Sequence, residues 1–218
     1  MTDRLSQIVR PFDVIQDIPS MGLSRLLHPK DLWLWPVQAM IIAKQHLEFR
    51  GVKCHGKNAT HILMAAGDDL TFEWTTPTAR YAPLSNLEGH HIRVLRYHGY
   101  DWTKDAIDQM HNWYDIVLSD PELADYDEGE YFGHLLELGL GEIGVTLVGS
   151  RGYVCSSGAA VTSIYVHKMT GAPRFFRRPV VPPGELEYLP AEAATPAHFS
   201  CWRKWEFDCV YDEPKARI

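Results

Sequence analysis

The segment THILMAAGDDLTFEWTT, residues 60–76, constrains the fold more than any other part of the chain. Two runs rich in β-branched and aromatic residues flank the turn residues GDD, a pattern typical of an antiparallel hairpin with a three-residue loop. Such a loop sets Met64 opposite Phe72. It also sets Ile62 opposite Trp74, so that one face of the hairpin is entirely apolar. Burial favours this register, because a slip of one residue would turn the apolar face outward.

The other face of the predicted hairpin carries polar side chains. In the same register His61 lies opposite Thr75, and Leu63 lies opposite Glu73. His61 and Glu73 therefore share a face, on a diagonal that long side chains can span. A two-residue loop would place them on opposite faces. The sequence predicts an imidazole beside a carboxylate, and this prediction depends on the turn.

A cysteine lies where the chain is expected to turn into a helix. RGYVCSSGAAVTS, residues 151–163, places Cys155 before a run of small residues. The helix is expected to continue to about Met169 and to stop at Gly171. Free N–H groups and the dipole at a helix start favour a thiolate and can hold an oxyanion. Cys155 as nucleophile, His61 as base and Glu73 as the residue that orients the base make a complete catalytic set.

The remaining pattern predicts a single α+β domain over residues 1–218. We expect 1–59 to hold an opening strand and an inserted helix, 60–190 the core, and 191–218 a C-terminal extension. An acidic loop is expected at DPELADYDEGE (120–130). Thr103 is a plausible N-cap of the helix that follows it in the sequence. The further elements expected are strands at FDVIQ (12–16), HHIRVLRYH (90–98) and FSCWRKWEFDCVY (199–211), and helices at 36–51, 103–120 and within YFGHLLELGLG (131–141).

Composition and charge exclude several classes of function. The formal charge is −7, which argues against a nucleic-acid partner, since such proteins carry basic patches. No apolar run is long enough to span a membrane. The first residues, MTDRLSQIVRPFDVIQ, contain no apolar core of a secretory signal, so no signal peptide is expected.

The four cysteines do not form a recognisable motif. No CxxC pair is present, and a disulfide framework is not expected in a chain of this length without a signal. A zinc site built from Cys54, His55, Cys201 and Cys209 is an alternative that nothing in the spacing demands. No HExxH motif occurs. We therefore expect neither a metal nor a cofactor.

Three segments together resemble a known family: THILMAAGDDLTFEWTTPTARYAPLSN (60–86), RVLRYHG (93–99) and YVCSSGAAV (153–161). They are similar to the circularly permuted NlpC-type papain-like cysteine hydrolases, the YiiX-like group, which are related to lecithin retinol acyltransferase. The resemblance implies a permuted papain-like fold, with an antiparallel sheet packed on the helix that carries the cysteine. It implies Cys155 as nucleophile, His61 as base and Glu73 as the polar third residue.

The resemblance also implies an activity. We expect this protein to be a cysteine hydrolase that cleaves an amide or ester acyl bond through a thioester intermediate. Its substrate would be a peptide or other acyl compound, such as a peptidoglycan stem peptide. Without a signal peptide the protein would be cytoplasmic or carried on a phage particle.

The alternative is a non-catalytic structural or binding component of a larger assembly on the same fold, because a protein can keep its fold after its catalytic site has been lost. The reactivity of the Cys155 thiol separates the two hypotheses.

Overall fold

The computed structural model of the chain describes residues 2–18, 34–75, 77–125, 155–179, 186–188, 196–202 and 206–213. The helices are α1 (Thr2–Ile8), α2 (Leu34–Glu48), α3 (Lys104–Ser119), α4 (Pro121–Ala124) and α5 (Cys155–Thr170). The strands are β1 (Val14–Ile18), β2 (His61–Gly67), β3 (Leu70–Glu73), β4 (Arg80–Pro83), β5 (His91–Tyr97), β6 (Arg177–Pro179), β7 (Leu186–Tyr188) and β8 (Phe207–Glu213). Short 3₁₀ helices lie at His55–Asn58 and Leu84–Leu87, and a π-helical turn lies at His198–Trp202.

One antiparallel sheet organises the described residues. Its six strands run in the order β4-β3-β2-β1-β5-β8, and β6 and β7 form a separate pair. The first strand in sequence, β1, lies at the centre between β2 and β5. Helices together with an antiparallel sheet confirm the prediction of an α+β fold.

Each face of the sheet packs on its own apolar cluster. Ile62 and Met64 of β2 point to the face that α3 and α5 cover, where they join Phe72 and Trp74. Leu63, between them in sequence, joins the second cluster on the other face with residues of α1 and the Leu84–Leu87 turn. This alternation is the two-residue period of a strand that is buried on both faces.

The β2–β3 hairpin has the predicted register but not the predicted turn. Met64 pairs with Phe72, as expected. The turn itself consists of two residues, Asp68 and Asp69, whose φ angles of 49° and 59° are those of a type I′ turn. A bulge between Ala65 and Gly67 inserts one extra residue into β2 and restores the register that a three-residue loop would give. The predicted loop length was wrong, and the two strands still pair as predicted.

The two long helices beside the sheet begin and end where the sequence predicts. Thr103 caps α3, its hydroxyl accepting a hydrogen bond from the N–H of Ala106 at 3.2 Å. Helix α5 begins at Cys155 and ends at Thr170. Gly171 follows with a φ of 73°, and its N–H donates to the carbonyl of His167 at 2.8 Å. Gly171 therefore closes the helix as a left-handed C-cap.

Other elements differ from prediction. Strand β1 begins two residues later than expected, and residues 199–202 of the predicted last strand lie in the π-helical turn. Pro121 starts α4 inside the segment expected to be an acidic loop, because Asp120 caps the N–H of Glu122. Helix α1 and strand β4 were not predicted. The helix expected at 131–141 lies outside the described residues.

The cysteines also correct the sequence analysis. Cys54 and Cys201, 147 residues apart, form a disulfide, although none was expected. The side chain of Gln45 is buried and hydrogen-bonds the backbone of both segments that the disulfide joins. A Cβ on Gly56 would lie 1.6 Å from the hydroxyl oxygen of Ser200, so glycine is required for this approach. The disulfide fastens the π-helical turn to the segment that leads into β2.

Within the described ranges, none of the helices has the length and apolarity needed to cross a bilayer.

Candidate active site

His61 and Glu73 lie at neighbouring ends of the hairpin. His61 is the first residue of β2, and Glu73 is the last residue of β3. Nε2 of His61 lies 3.3 Å from Oε2 of Glu73, and the two side chains are 25% and 10% exposed. The predicted pairing of an imidazole with a carboxylate is therefore present in the structure.

Close packing of α5 places Cys155 beside this pair. Cys155 is the first residue of the helix and is 4% exposed. One turn later, a Cβ on Gly158 would lie 2.3 Å from Cδ2 of Trp74. The helix backbone can lie this close to the indole only because residue 158 has no side chain. Ala159 and Ala160 continue the contact in the same cluster.

His61 interacts with Cys155 as well as with Glu73. Burial opposes the charged imidazolium and by itself lowers the pKa of His61. The charge of Cys155, a side-chain hydrogen bond with it, and the hydrogen bond and charge of Glu73 all act in the other direction and together outweigh burial. Together they raise the pKa of His61 from 6.5 to about 10. His61 thus interacts with both of the other residues that the sequence singles out.

The Glu73 carboxylate is shared between two cations. Oε2 faces His61, and Oε1 accepts a hydrogen bond from Nε of Arg80 at 2.8 Å. Burial raises the pKa of this carboxyl, but the hydrogen bonds and charges of His61 and Arg80 lower it below its usual value of 4.5. The carboxylate is therefore ionised at neutral pH, where it can fix the orientation of the His61 ring.

The sequence analysis missed Arg80. It lies on β4, directly opposite Glu73 in the β3–β4 ladder. The signal that could have found it is the run RYAP, a short segment with an aromatic residue that follows the hairpin and could pair with it as a third strand. Because β4 was not predicted, its pairing with β3 and the position of Arg80 were not available from the sequence.

The alternative zinc site is not formed. Cys54 and Cys201 are bonded to each other, and Cys209 is an exposed free thiol on β8. In the part of the chain that the structure describes, no three side chains among His, Cys, Asp and Glu are grouped to hold a metal ion.

Comparison with known proteins adds no further assignment. No protein-family model matches this sequence, and no curated protein is significantly similar to it. The chemistry of the site must therefore be argued from its own geometry.

Proposed function

We propose that this protein is a cysteine hydrolase that cleaves an amide or ester acyl bond, with Cys155 as nucleophile, His61 as acid and base, and Glu73 as the orienting residue. One observation carries the proposal: the imidazole of His61 lies 3.3 Å from a buried carboxylate and interacts electrostatically with the cysteine at the start of a helix. A nucleophile, a base and a group that orients the base are the parts that thiol hydrolysis requires.

The proposed reaction begins with the Cys155 thiolate and the His61 imidazolium. The thiolate attacks the acyl carbon, and the positive end of the helix dipole at the start of α5 stabilises the oxyanion. His61 then donates its proton to the leaving amine or alcohol as the C–N or C–O bond breaks, and a thioester remains. Neutral His61 next takes a proton from water, which attacks the thioester. The acid product leaves, and the thiolate and imidazolium are restored.

The order of elements supports a permuted papain-like arrangement. The histidine strand β2 precedes the cysteine helix α5 in the chain, and α5 packs on the face of the sheet formed by Ile62 and Met64.

Within this proposal the substrate to test first is a cell-wall peptide, such as a peptidoglycan stem peptide. Delivery on a phage particle would bring an enzyme of this kind to such a substrate.

The test is the rate of alkylation by iodoacetamide as a function of pH, with peptide mapping of the modified cysteines. Cys209 is exposed and serves as an internal reference, whereas Cys155 is only 4% exposed. A catalytic Cys155 reacts faster than Cys209 at pH 6 despite its burial, and His61→Ala abolishes this advantage. Faster reaction of a buried thiol has a chemical cause, since access alone would favour Cys209.

The opposite result supports the other hypothesis. If Cys155 is no more reactive than Cys209 at any pH, the site is not a hydrolase centre. The protein would then be a structural or binding component that uses the same fold.

A further inference from the structure

The guanidinium of Arg80 uses only part of its hydrogen-bonding capacity. Its Nε donates to Oε1 of Glu73 at 2.8 Å, and the side chain is 57% exposed. The described residues supply no hydrogen-bond acceptor to either of its Nη atoms. Since more than half of the side chain is exposed, Arg80 has an Nη edge that the described residues leave without an acceptor, next to the contact between Glu73 and His61.

The open edge of a guanidinium is suited to bind a carboxylate. Two parallel N–H donors match the two oxygens of a carboxylate, and such paired bonds are among the strongest that side chains form. Glu73 is 10% exposed and holds Nε, which fixes the plane of the guanidinium. A fixed donor pair loses less conformational entropy on binding than a free arginine would.

The charges around the site make Arg80 necessary for an anionic ligand. The chain has a formal charge of −7, and the Glu73 carboxylate would repel a second carboxylate placed beside it. Arg80 and His61 both face Glu73, and Arg80 keeps its Nη–H donors for an incoming anion. We propose that Arg80 binds a carboxylate of the substrate, so that the enzyme acts on acyl compounds that carry a carboxylate near the bond to be cleaved. This inference rests on the proposed hydrolase function.

The experiment compares two alkylating reagents that differ only in charge. Iodoacetate and iodoacetamide both form an S–CH₂ bond to the thiolate with loss of iodide, but only iodoacetate carries a carboxylate. The ratio of their rates at Cys155 is measured at constant pH in the wild type, Arg80→Gln, Arg80→Lys and Arg10→Gln. Arg10 is a matched control, since its side chain is 64% exposed and faces the carboxylate of Asp101 at 4.0 Å.

The expected result is a change in the ratio and not merely in the rates. Arg80→Gln lowers the ratio of iodoacetate to iodoacetamide about tenfold at Cys155, the size of effect that a charge-assisted hydrogen bond gives. Arg80→Lys restores part of it, because the charge returns without the paired donors. Arg10→Gln leaves the ratio unchanged, and the ratio at Cys209 is the same in all four proteins.

A second measurement needs no substitution. N-acetylglycine carries a carboxylate, whereas N-acetylglycinamide has the same acyl part with a neutral amide. The carboxylate compound protects wild-type Cys155 from iodoacetamide, and the amide compound does not.

Three results would overturn the inference. Equal slowing of both reagents in Arg80→Gln would mean that Arg80 acts only by positioning Glu73. Equal protection by the two N-acetyl compounds would mean that the site does not recognise the carboxylate. Failure of wild-type Cys155 to react selectively with iodoacetamide would instead overturn the hydrolase proposal, and this inference with it.

Discussion

The imidazole of His61 and the carboxylate of Glu73 face each other at 3.3 Å between Nε2 and Oε2, across two strands that a two-residue turn connects. The contact exists because the bulge in β2 offsets the short turn. The geometry of the hairpin thus decides that Nε2 is the ring nitrogen that faces the carboxylate.

Replacing Glu73 with glutamine tests the orienting role. The amide keeps the size of the side chain but removes its charge, so we expect the pKa of His61 to fall by about one to two pH units. An NMR titration of the His61 ring measures this value directly. Asp108→Asn, which changes an exposed carboxylate on α3 paired with Lys104, is the control and leaves the titration unchanged. An unaltered His61 titration in Glu73→Gln would show that Glu73 does not support the imidazolium.

The raised pKa of His61 predicts how stability depends on pH. A histidine whose pKa rises on folding stabilises the folded state fully below its unfolded value, near 6.5. The contribution is lost as the pH rises towards the folded value of about 10. The difference in unfolding free energy between the wild type and His61→Gln should therefore shrink from pH 7 to pH 10. Urea denaturation at both pH values measures it, and a constant difference would contradict the ion pair.

Substitution of Gly158 tests the packing that positions Cys155. An alanine Cβ would lie 2.3 Å from the Trp74 ring, so α5 or the indole must move. We expect Gly158→Ala to lower the free energy of unfolding by about 1–3 kcal/mol and to reduce the alkylation advantage of Cys155 at pH 6. Lys168→Gly, at an exposed position of the same helix, is the control; it costs roughly 1 kcal/mol of helix propensity and leaves Cys155 as reactive as in the wild type. A stable and fully reactive Gly158→Ala protein would show that this contact does not set the site.

The disulfide predicts both a thiol count and a loss of stability. Denatured protein without reductant should show two free thiols, Cys155 and Cys209, and all four cysteines after reduction. Cys54→Ser with Cys201→Ser should lower the free energy of unfolding by about 2–5 kcal/mol, because the bond closes a long loop. Cys209→Ser is the control and should have little effect, since this side chain is exposed. A count of four without reductant would show that the bond does not form.

Local patterns in the sequence were sufficient to predict the elements that carry the candidate site. The apolar residues of the hairpin restrict its register, since a slip of one residue would expose Phe72 and Trp74, which are 0% and 1% exposed. Thr103 and Gly171 mark helix ends because capping involves only residues a few positions apart. The start of α5 at Cys155 was predicted from the run of small residues that follows it, which is also a local pattern.

Contacts between distant segments could not be predicted in this way. The approach of Arg80 to Glu73 needs β4 to pair with β3, and the Cys54–Cys201 bond joins residues 147 positions apart. No local pattern shows which of the four cysteines will meet, because loop closure depends on the packing of everything between them.

The sequence by itself determined the α+β class, the hairpin register and the helix that begins at Cys155, since each of these follows from residue patterns within one segment: alternation in the hairpin, and small residues followed by a glycine stop in the helix. Only the tertiary structure decided that α5 lies against Trp74, that His61 contacts Cys155 and that Arg80 holds Glu73. These contacts depend on how closely whole elements pack, and a residue without a side chain at position 158 allows that packing.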